Sequence, residues 1–311
     1  MQRSEDLHDI DNVLISRLRF ATALTGVVFL AELAGGYATN SLALISDAVH
    51  VFMDVLALGL SWFAIYISAL PPTETRTYGM HRIEVFVSFI NGMLLVFATV
   101  FIFYKAYFRF LHPETVESAG MMIVAAIGLA VNLLVAFSLK DHAKTDLNIK
   151  SAFLHVVGDA AASVGVIIAA IVIRYTGWNA IDPLISVVIG LIIVGGAIRI
   201  IRESAHILLE GVPGEVSLTG VTTDIKKVAG VTGVHSLHIW SICTNIFALS
   251  AHVDIEPKDR ARFGEILSEI NERLARDHHI FYTTIQAECL GCDTGRVLRR
   301  FSHKGKRGHA H

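Results

Sequence analysis

Two apolar runs of the sequence carry pairs of ionisable side chains at helical spacing. His50 and Asp54 lie in the run SLALISDAVHVFMDVLALGL, and His155 and Asp159 lie in the run NIKSAFLHVVGDAAASVGVIIAA. Side chains four residues apart lie on one side of an α-helix. If the two helices pack face to face, two imidazoles and two carboxylates meet, and this ligand set suits a four-coordinate divalent transition ion, zinc first.

Ionisable groups inside apolar helices are costly and need a reason to be there. A charged side chain at the middle of a membrane costs at least about 2.5–3.5 kcal/mol, so a functional role is the default hypothesis. The alternative is a buried polar network that only holds helices together. Asp47 either accepts a hydrogen bond from His50 behind the metal or caps the entrance of its helix. Glu32 and Asn132 either line an ion path or serve hydrogen-bonded packing.

The composition indicates a membrane protein with a soluble part. The chain has 311 residues, of which 53% are hydrophobic and 17% are charged, whereas soluble proteins contain about 25% charged residues. Charge is scarce up to about residue 201 and ordinary beyond it, which predicts a membrane domain followed by a soluble domain. The net charge of −2, without a basic stripe, argues against a nucleic-acid partner.

The apolar segments predict six membrane-spanning helices of about 20 residues or more. An even number of spans returns both termini to one side, and the concentration of Lys and Arg on that side predicts that it is cytoplasmic. We therefore expect a cytosolic segment at residues 1–12 and a transmembrane domain at residues 13–205. The predicted spans are residues 14–37, 42–70, 83–108, 118–139, 149–173 and 181–201.

The soluble domain, residues 206–297, shows a change from helical to alternating hydrophobic period. The order helix, strand, strand, helix, strand predicts an α+β layer with helices on one face of a small sheet. A basic tail with several histidines, residues 298–311, is predicted to be disordered. The predicted elements are a helix at 215–229, strands at 234–241 and 247–255, a helix at 259–276 and a strand at 281–289.

Five motifs in order along residues 13–290 resemble those of the cation diffusion facilitator family. The motifs are S-L-A-L-x-x-D-A-x-H-x-x-x-D from Ser41, Y-G-x-H-R-x-E from Tyr78, N-G at Asn91, L-H-x-x-G-D from Leu154 and V-H-x-L-H-I-W from Val234. The resemblance implies a six-helix transmembrane domain and a C-terminal ferredoxin-like cytosolic domain. It also implies a homodimer that exports a divalent metal from the cytoplasm in exchange for protons, without an organic cofactor, and we expect a multi-pass protein of the bacterial inner membrane surrounded by lipid.

The resemblance assigns the transport site to positions on the second and fifth helices. These positions hold His50, Asp54, His155 and Asp159, a pattern that is typical of the zinc-transporting branches. Cadmium, cobalt and nickel remain alternative substrates, because ligand type only ranks these metals. Family members also join their membrane and soluble parts through a charge pair, and the nearest matches for that interlock are Arg82 and Glu210.

The resemblance also implies metal sites in the cytosolic domain, where bound metal tightens the dimer and raises transport. His235, His252 and Glu288 match positions used there. Cys289 and Cys292 have the spacing of thiolate zinc ligands, with His238 or His279 nearby, or are inert thiols in a reduced compartment. Alternatively, the histidines are ordinary surface residues at a strand end.

Two other classes of protein could also place His and Asp on spanning helices. An intramembrane metalloenzyme needs an open coordination position and a general base, such as an H-E-x-x-H motif, and the sequence has none, so we do not expect an enzyme. A membrane-anchored metal sensor would bind metal in its soluble domain without moving it across the membrane. Metal flux distinguishes the carrier from both.

Overall fold

The computed structural model describes residues 24–140, 147–288 and 297, without the side chains of residues 147–149, 151, 152 and 260. The chain divides into two compact units. One consists of Met1–Trp62 with Ile90–Ile201, and the other of Phe63–Phe89 with Arg202–His311. The second unit includes residues 63–89 as well as the C-terminal part of the chain, and the domain boundaries expected from the sequence stay a prediction.

Six apolar helices follow one another along the first two thirds of the chain. Five of them, α2 to α6, are long and apolar enough to cross a membrane. The described part of α1 is shorter, and the predicted start of the first span, residues 14–23, lies outside the described residues. The helices are α1 (Leu24–Thr39), α2 (Leu42–Ser68), α3 (Arg82–Leu111), α4 (Ser118–Leu139), α5 (Leu147–Thr176) and α6 (Ile181–Leu208).

Side-chain caps set where two of the spanning helices begin. The carboxylate of Glu117 accepts hydrogen bonds from the backbone N–H groups of Ala119 and Gly120, which starts α4. The start of α2 is capped from another helix, because the side chain of Asp182 in α6 accepts from the backbone N–H of Leu42 at 2.7 Å and from that of Ala43 at 3.1 Å. These contacts fix the N-terminal end of the helix that carries His50 and Asp54.

The core of the first unit is formed by small and aliphatic side chains on α2, α4, α5 and α6. Ala43 and Leu44 of α2 are completely buried, as are Met121 of α4 and Val166 of α5. Small residues permit helices to approach closely where lipid, rather than water, surrounds them. The close packing places α2 beside α5, and the two predicted pairs of ionisable residues lie on these helices.

The second unit contains a three-stranded sheet with helices on one face. Strand order is β1-β2-β3, with β1 and β2 antiparallel and β2 and β3 parallel. The predicted order of helix, strand, strand, helix, strand and the predicted fold class are confirmed, with boundaries that differ by a few residues. The elements are α7 (Leu218–Lys226), β1 (Val231–Cys243), β2 (Ile246–Ile255), a 3₁₀ helix (Pro257–Arg262), α8 (Phe263–His278) and β3 (Ile280–Glu288).

The two faces of this sheet differ in polarity. On β2, Leu249, Ala251 and Val253 are buried in one apolar core with residues of α7 and α8. His252 and Asp254 alternate with them and are only partly buried. Because side chains alternate across a strand, these two residues lie on the face opposite the helices, which we call the open face.

Candidate metal centres

The four ionisable residues singled out on α2 and α5 lie together between the two helices. The Nε2 atom of His155 is 3.3 Å from Asp54 Oδ2, and the Nε2 atom of His50 is 3.6 Å from the same oxygen. Each of these two nitrogen atoms is also 3.9 Å from an oxygen of Asp159. The two imidazole ring centroids are 5.9 Å apart. Donor atoms of His50, His155 and Asp159 thus all lie within 4.8 Å of one another, and Asp54 Oδ2 lies beside both imidazoles.

The nitrogen–oxygen separations are close to those that a single ion requires. Zinc binds nitrogen and oxygen at about 2.0–2.2 Å, so the donors of a tetrahedral site are roughly 3.3–3.6 Å from one another. The observed nitrogen–oxygen distances run from 3.3 to 3.9 Å, so they begin within that range and extend slightly beyond it. The exposed fraction of the side chain is 9% for Asp159 and 49% for His155, so the carboxylate is buried while the imidazole is half exposed.

Two buried atoms at this site lack hydrogen-bond partners among the described residues. They are Asp54 Oδ2 and His50 Nδ1. A buried polar atom without a partner is unfavourable unless something else binds it, and a cation between the helices would satisfy Asp54 Oδ2. The imidazole of His50 directs Nε2 towards Asp54 and Asp159, and its Nδ1 atom has no hydrogen bond to Asp47 in this arrangement.

A second cluster lies on the open face of the sheet in the other unit. His235 and His252 are directly opposite each other on β1 and β2, with ring centroids 5.2 Å apart. Glu288 at the end of β3 joins them, with Oε1 2.7 Å from His252 Nδ1 and Oε2 3.4 Å from His235 Nε2. Two imidazoles and a carboxylate are suitable ligands for a divalent transition ion. The structure therefore brings together all three residues that the sequence grouped here.

Asp254 is a fourth member of this cluster that the sequence reasoning missed. Its Oδ2 atom lies 3.5 Å from His235 Nδ1, and its Oδ1 atom is buried without a partner among the described residues. The signal was present in the sequence, because Asp254 follows His252 by two residues on a strand and so lies on the same face. A carboxylate behind a ligating imidazole fixes its orientation and its tautomer.

The remaining cytosolic candidates do not join this cluster in the part of the chain that the structure describes. His238 pairs in register with Ser250, after a β-bulge at which Ser236 has a left-handed φ of 50°. It lines a separate cavity together with Tyr78 and Trp240. Cys289 and Cys292 lie outside the described residues.

The predicted charge pair is formed. Arg82 at the start of α3 and Glu210 just beyond α6 approach to 3.1 Å between the guanidinium Nη2 and the carboxylate Oε1. Both residues belong to the second unit. Both side chains are largely exposed, so water screens the attraction and the ion pair contributes little to the stability of the fold.

Comparison with known proteins identifies both parts of the chain. A family model of the cation efflux transmembrane domain matches residues 18–209, and a model of the cation efflux protein cytoplasmic domain matches residues 213–289. The metal cation efflux system protein CzcD of Cupriavidus metallidurans is 39% identical over 285 residues, which cover 92% of this chain and 90% of that protein.

Two further relatives are similar over most of their length. The cadmium, cobalt and zinc/H(+)-K(+) antiporter of Bacillus subtilis is 36% identical over 268 residues, covering 85% of this chain and 86% of that protein. The zinc transporter ZitB of Escherichia coli is 34% identical over 302 residues, covering 95% of this chain and 93% of that protein. These relatives are named as transporters, not as enzymes. The chain therefore belongs to the cation efflux family, the family of cation diffusion facilitators, and is an integral membrane transporter of divalent metal cations.

Proposed function

We propose that the protein exports zinc from the cytoplasm in exchange for protons, and that His50, Asp54, His155 and Asp159 bind the ion during transport. The observation that carries this proposal is the contact between α2 and α5, where the Nε2 atom of His155 lies 3.3 Å from Asp54 Oδ2. Donors from two separate spanning helices lie close together there, which supports a shared ion.

Charge balance in the membrane explains why such a site would exchange metal for protons. Two carboxylates and two neutral imidazoles carry about two negative charges in a region of low dielectric constant, where charge is costly. A divalent ion neutralises them when it binds. Metal and protons compete for the same lone pairs, so protons can replace the ion after it leaves on the opposite side. Rocking of the helices would expose the site to each side in turn, as in other alternating-access carriers.

The donor set and the relatives both favour zinc without excluding neighbouring metals. Imidazole and carboxylate suit zinc, and affinity order alone does not decide which metal a protein selects in the cell. One relative is named as a zinc transporter and another as a cadmium, cobalt and zinc antiporter. Cadmium, cobalt and nickel are therefore the alternative substrates for this chain.

The remaining parts of the proposal concern assembly and regulation. The protein works as a homodimer in the bacterial inner membrane with both termini in the cytoplasm. Metal bound at His235, His252 and Glu288, with Asp254 behind His235, draws the two soluble domains together and raises transport. The Arg82–Glu210 ion pair links the α2–α3 turn to the end of α6 and transmits that change.

Metal flux tests the proposed function directly. The full-length protein is reconstituted into vesicles that contain a zinc-sensitive dye. Zinc entry is followed with and without a pH gradient that drives protons out of the vesicles, opposite to the movement of zinc. We expect zinc flux that the gradient accelerates. Zinc binding without any flux would instead support a sensor, and turnover of a substrate without flux would support an enzyme.

A further inference from the structure

Besides Asp54 Oδ2 at the candidate metal site and Asn91 Oδ1 on α3, three buried oxygen atoms in the first unit lack hydrogen-bond partners among the described residues. They are Glu32 Oε2 on α1, Asp47 Oδ1 on α2 and Ser163 Oγ on α5. The three residues are only 2%, 2% and 1% exposed. Buried polar atoms are nearly always paired in folded proteins, so each such atom calls for an explanation. We refer to Glu32, Asp47 and Ser163 as the oxygen cluster.

The position of α4 shows that Glu32 and Ser163 lie close together. A Cβ atom at Gly128 of α4 would lie 2.7 Å from Glu32 Oε1 and 3.6 Å from Ser163 Oγ. Both oxygen atoms therefore border the same narrow space, and only glycine at position 128 leaves that space open. Among the titratable groups that the structure describes, the carboxylates of Asp47 on α2 and Asp159 on α5 are near enough for their charges to act on Glu32.

The oxygen cluster differs in chemistry from the proposed transport site. Its described members offer carboxylate and hydroxyl oxygen only, whereas the transport site combines imidazole with carboxylate and already has four donors for a four-coordinate ion. Oxygen donors without nitrogen suit a hard cation. An alkali ion needs several oxygens to replace its hydration shell, but a proton needs a single lone pair.

We propose that Glu32 carries a proton of the exchange, in a pocket that it shares with Asp47 and Ser163, separately from the four metal ligands. This inference rests on the proposed metal-for-proton exchange. A proton from the outer side adds to a lone pair of the Glu32 carboxylate and forms an O–H bond. That bond breaks when the pocket faces the cytoplasm, where the proton leaves and the electron pair stays on the oxygen.

Asp159 connects the two sites electrostatically. It lies 3.9 Å from the Nε2 atoms of both transport-site histidines, and its charge also acts on Glu32. A divalent ion bound beside Asp159 offsets negative charge near Glu32 and disfavours a proton there. By reciprocity, a proton on Glu32 disfavours the ion. The two cations would thus exclude each other without competing for one set of atoms.

The test compares Glu32→Gln with the parent in two measurements on the full-length protein. The first counts the protons released when zinc binds in weakly buffered detergent solution. The second follows zinc flux into vesicles with and without a pH gradient. We expect Glu32→Gln to release about one proton fewer per zinc ion, to keep zinc-for-zinc exchange and to lose the acceleration by the gradient. Glu74→Gln, at an exposed position in the α2–α3 turn, is the matched control and should behave like the parent.

Three results would overturn the inference. Glu32→Gln with the parent's proton count and gradient response would show that Glu32 carries no proton. Loss of zinc binding, as expected for Asp159→Ala, would place Glu32 in the metal site. Zinc flux that is accelerated by a potassium gradient instead of by the pH gradient would show that the oxygen cluster binds an alkali ion. If the parent itself moves no zinc, the proposed function fails, and that failure is distinct from all three.

A spectroscopic measurement keeps the inference testable if Glu32→Gln does not fold. Infrared difference spectra of the parent should lose the band of a protonated carboxyl group when zinc is added. Glu32→Asp retains the carboxyl group and should shift that band. A parent spectrum without such a change on zinc addition would contradict the proposal.

Discussion

The Nε2 atom of His155 on α5 lies 3.3 Å from the Oδ2 atom of Asp54 on α2. This contact joins two helices that are distant in sequence, whereas the pairs four residues apart lie each on one helix. A site of this kind is complete only while α2 and α5 remain adjacent at this level. Any movement that separates them changes the affinity for the ion, which is the requirement for a carrier whose site opens to one side at a time.

Replacement of Asp54 tests whether this contact belongs to a metal site. Asp54→Asn keeps the shape of the side chain but removes the charge and one strong donor. Loss of a residue that supports a metal ligand typically weakens metal binding about 10–100-fold. Because Asp54 is itself a proposed ligand, we expect Asp54→Asn to weaken zinc binding by more than that. Isothermal titration of the full-length protein with zinc measures it. Asp277→Asn, at an exposed position on α8, should bind zinc like the parent, and equal binding by Asp54→Asn would remove Asp54 from the site.

Asp182 is expected to set the position of α2 through its contacts across the helices. Its side chain is fully buried and accepts a hydrogen bond from Ser41 Oγ at 2.6 Å in addition to two backbone N–H groups of α2. Arg109 adds an ion pair at 3.4 Å. Hydrogen bonds to charged groups contribute about 1.5–3 kcal/mol each, so Asp182→Asn should lower the thermal midpoint clearly. Ser41→Ala, which removes one bond, should lower it less.

Thermal unfolding of the purified protein in detergent checks this order. A midpoint for Asp182→Asn that equals the parent's would show that the buried contacts do not hold α2 in place. A further expected consequence is weaker zinc binding by Asp182→Asn, because the helix that carries His50 and Asp54 begins at the residues that Asp182 caps.

The cluster on the open face of the sheet predicts a second class of bound metal. His252→Ala removes a donor that lies 2.7 Å from Glu288. We expect the full-length protein to bind fewer zinc ions at saturation, while the transport site keeps its affinity. Asp254→Asn should weaken the same binding by about 10–100-fold, the usual effect of losing a carboxylate behind a ligating imidazole. The control is His112→Ala, an exposed histidine just beyond α3. Unchanged zinc stoichiometry in His252→Ala would mean that this cluster is an ordinary hydrogen-bonded group.

Asp224 links α7 to α8 and should make the stability of the cytosolic part depend on pH. Hydrogen bonds from Lys227 and His278 lower the pKa of this carboxyl group below its usual 3.8. Because the pKa is lower in the folded state, the contribution is fully present above 3.8 and is lost as the pH falls through the folded-state value. Asp224→Asn should therefore unfold at a lower temperature than the parent at neutral pH.

Thermal unfolding at several pH values measures that difference between parent and variant. It should shrink as the pH falls below 3.8. Glu74→Gln, whose side chain is exposed, should follow the parent throughout. A difference that stayed constant across the pH range would show that the effect of Asp224→Asn is steric and not electrostatic.

The helices, and the pairing of ionisable residues along α2 and α5, were predictable because their signals are local. Apolar runs of membrane length are ended by Pro71 and Pro72 or started near Pro183, and the structure has α2 ending at Ser68 and α6 beginning at Ile181. His155 and Asp159 share a helix side by spacing alone. The facing of α5 against α2 came from the resemblance and from the need to offset charge, not from any local pattern.

Contacts that depend on side-chain rotation or on strand register were not predictable in the same way. Spacing allowed Asp47 to reach His50, but the imidazole turns towards the other helix. Asp254 was not predicted because the resemblance pointed only to His235, His252 and Glu288, although the alternation of β2 places Asp254 on the same face as His252. The bulge at Ser236 changes which residues of β1 oppose β2, and nothing in the sequence marks a left-handed φ at a serine.

Zinc flux through Asp159→Ala tests the central claim most directly. The parent, Asp159→Ala and the exposed control Asp277→Ala are reconstituted at equal amounts, after thermal unfolding has shown that each is folded. We predict that Asp159→Ala moves no zinc above the protein-free background, whereas the parent and Asp277→Ala move zinc at similar rates. A folded Asp159→Ala protein that moved zinc at the parent's rate would contradict the assignment of the ion to the space between α2 and α5.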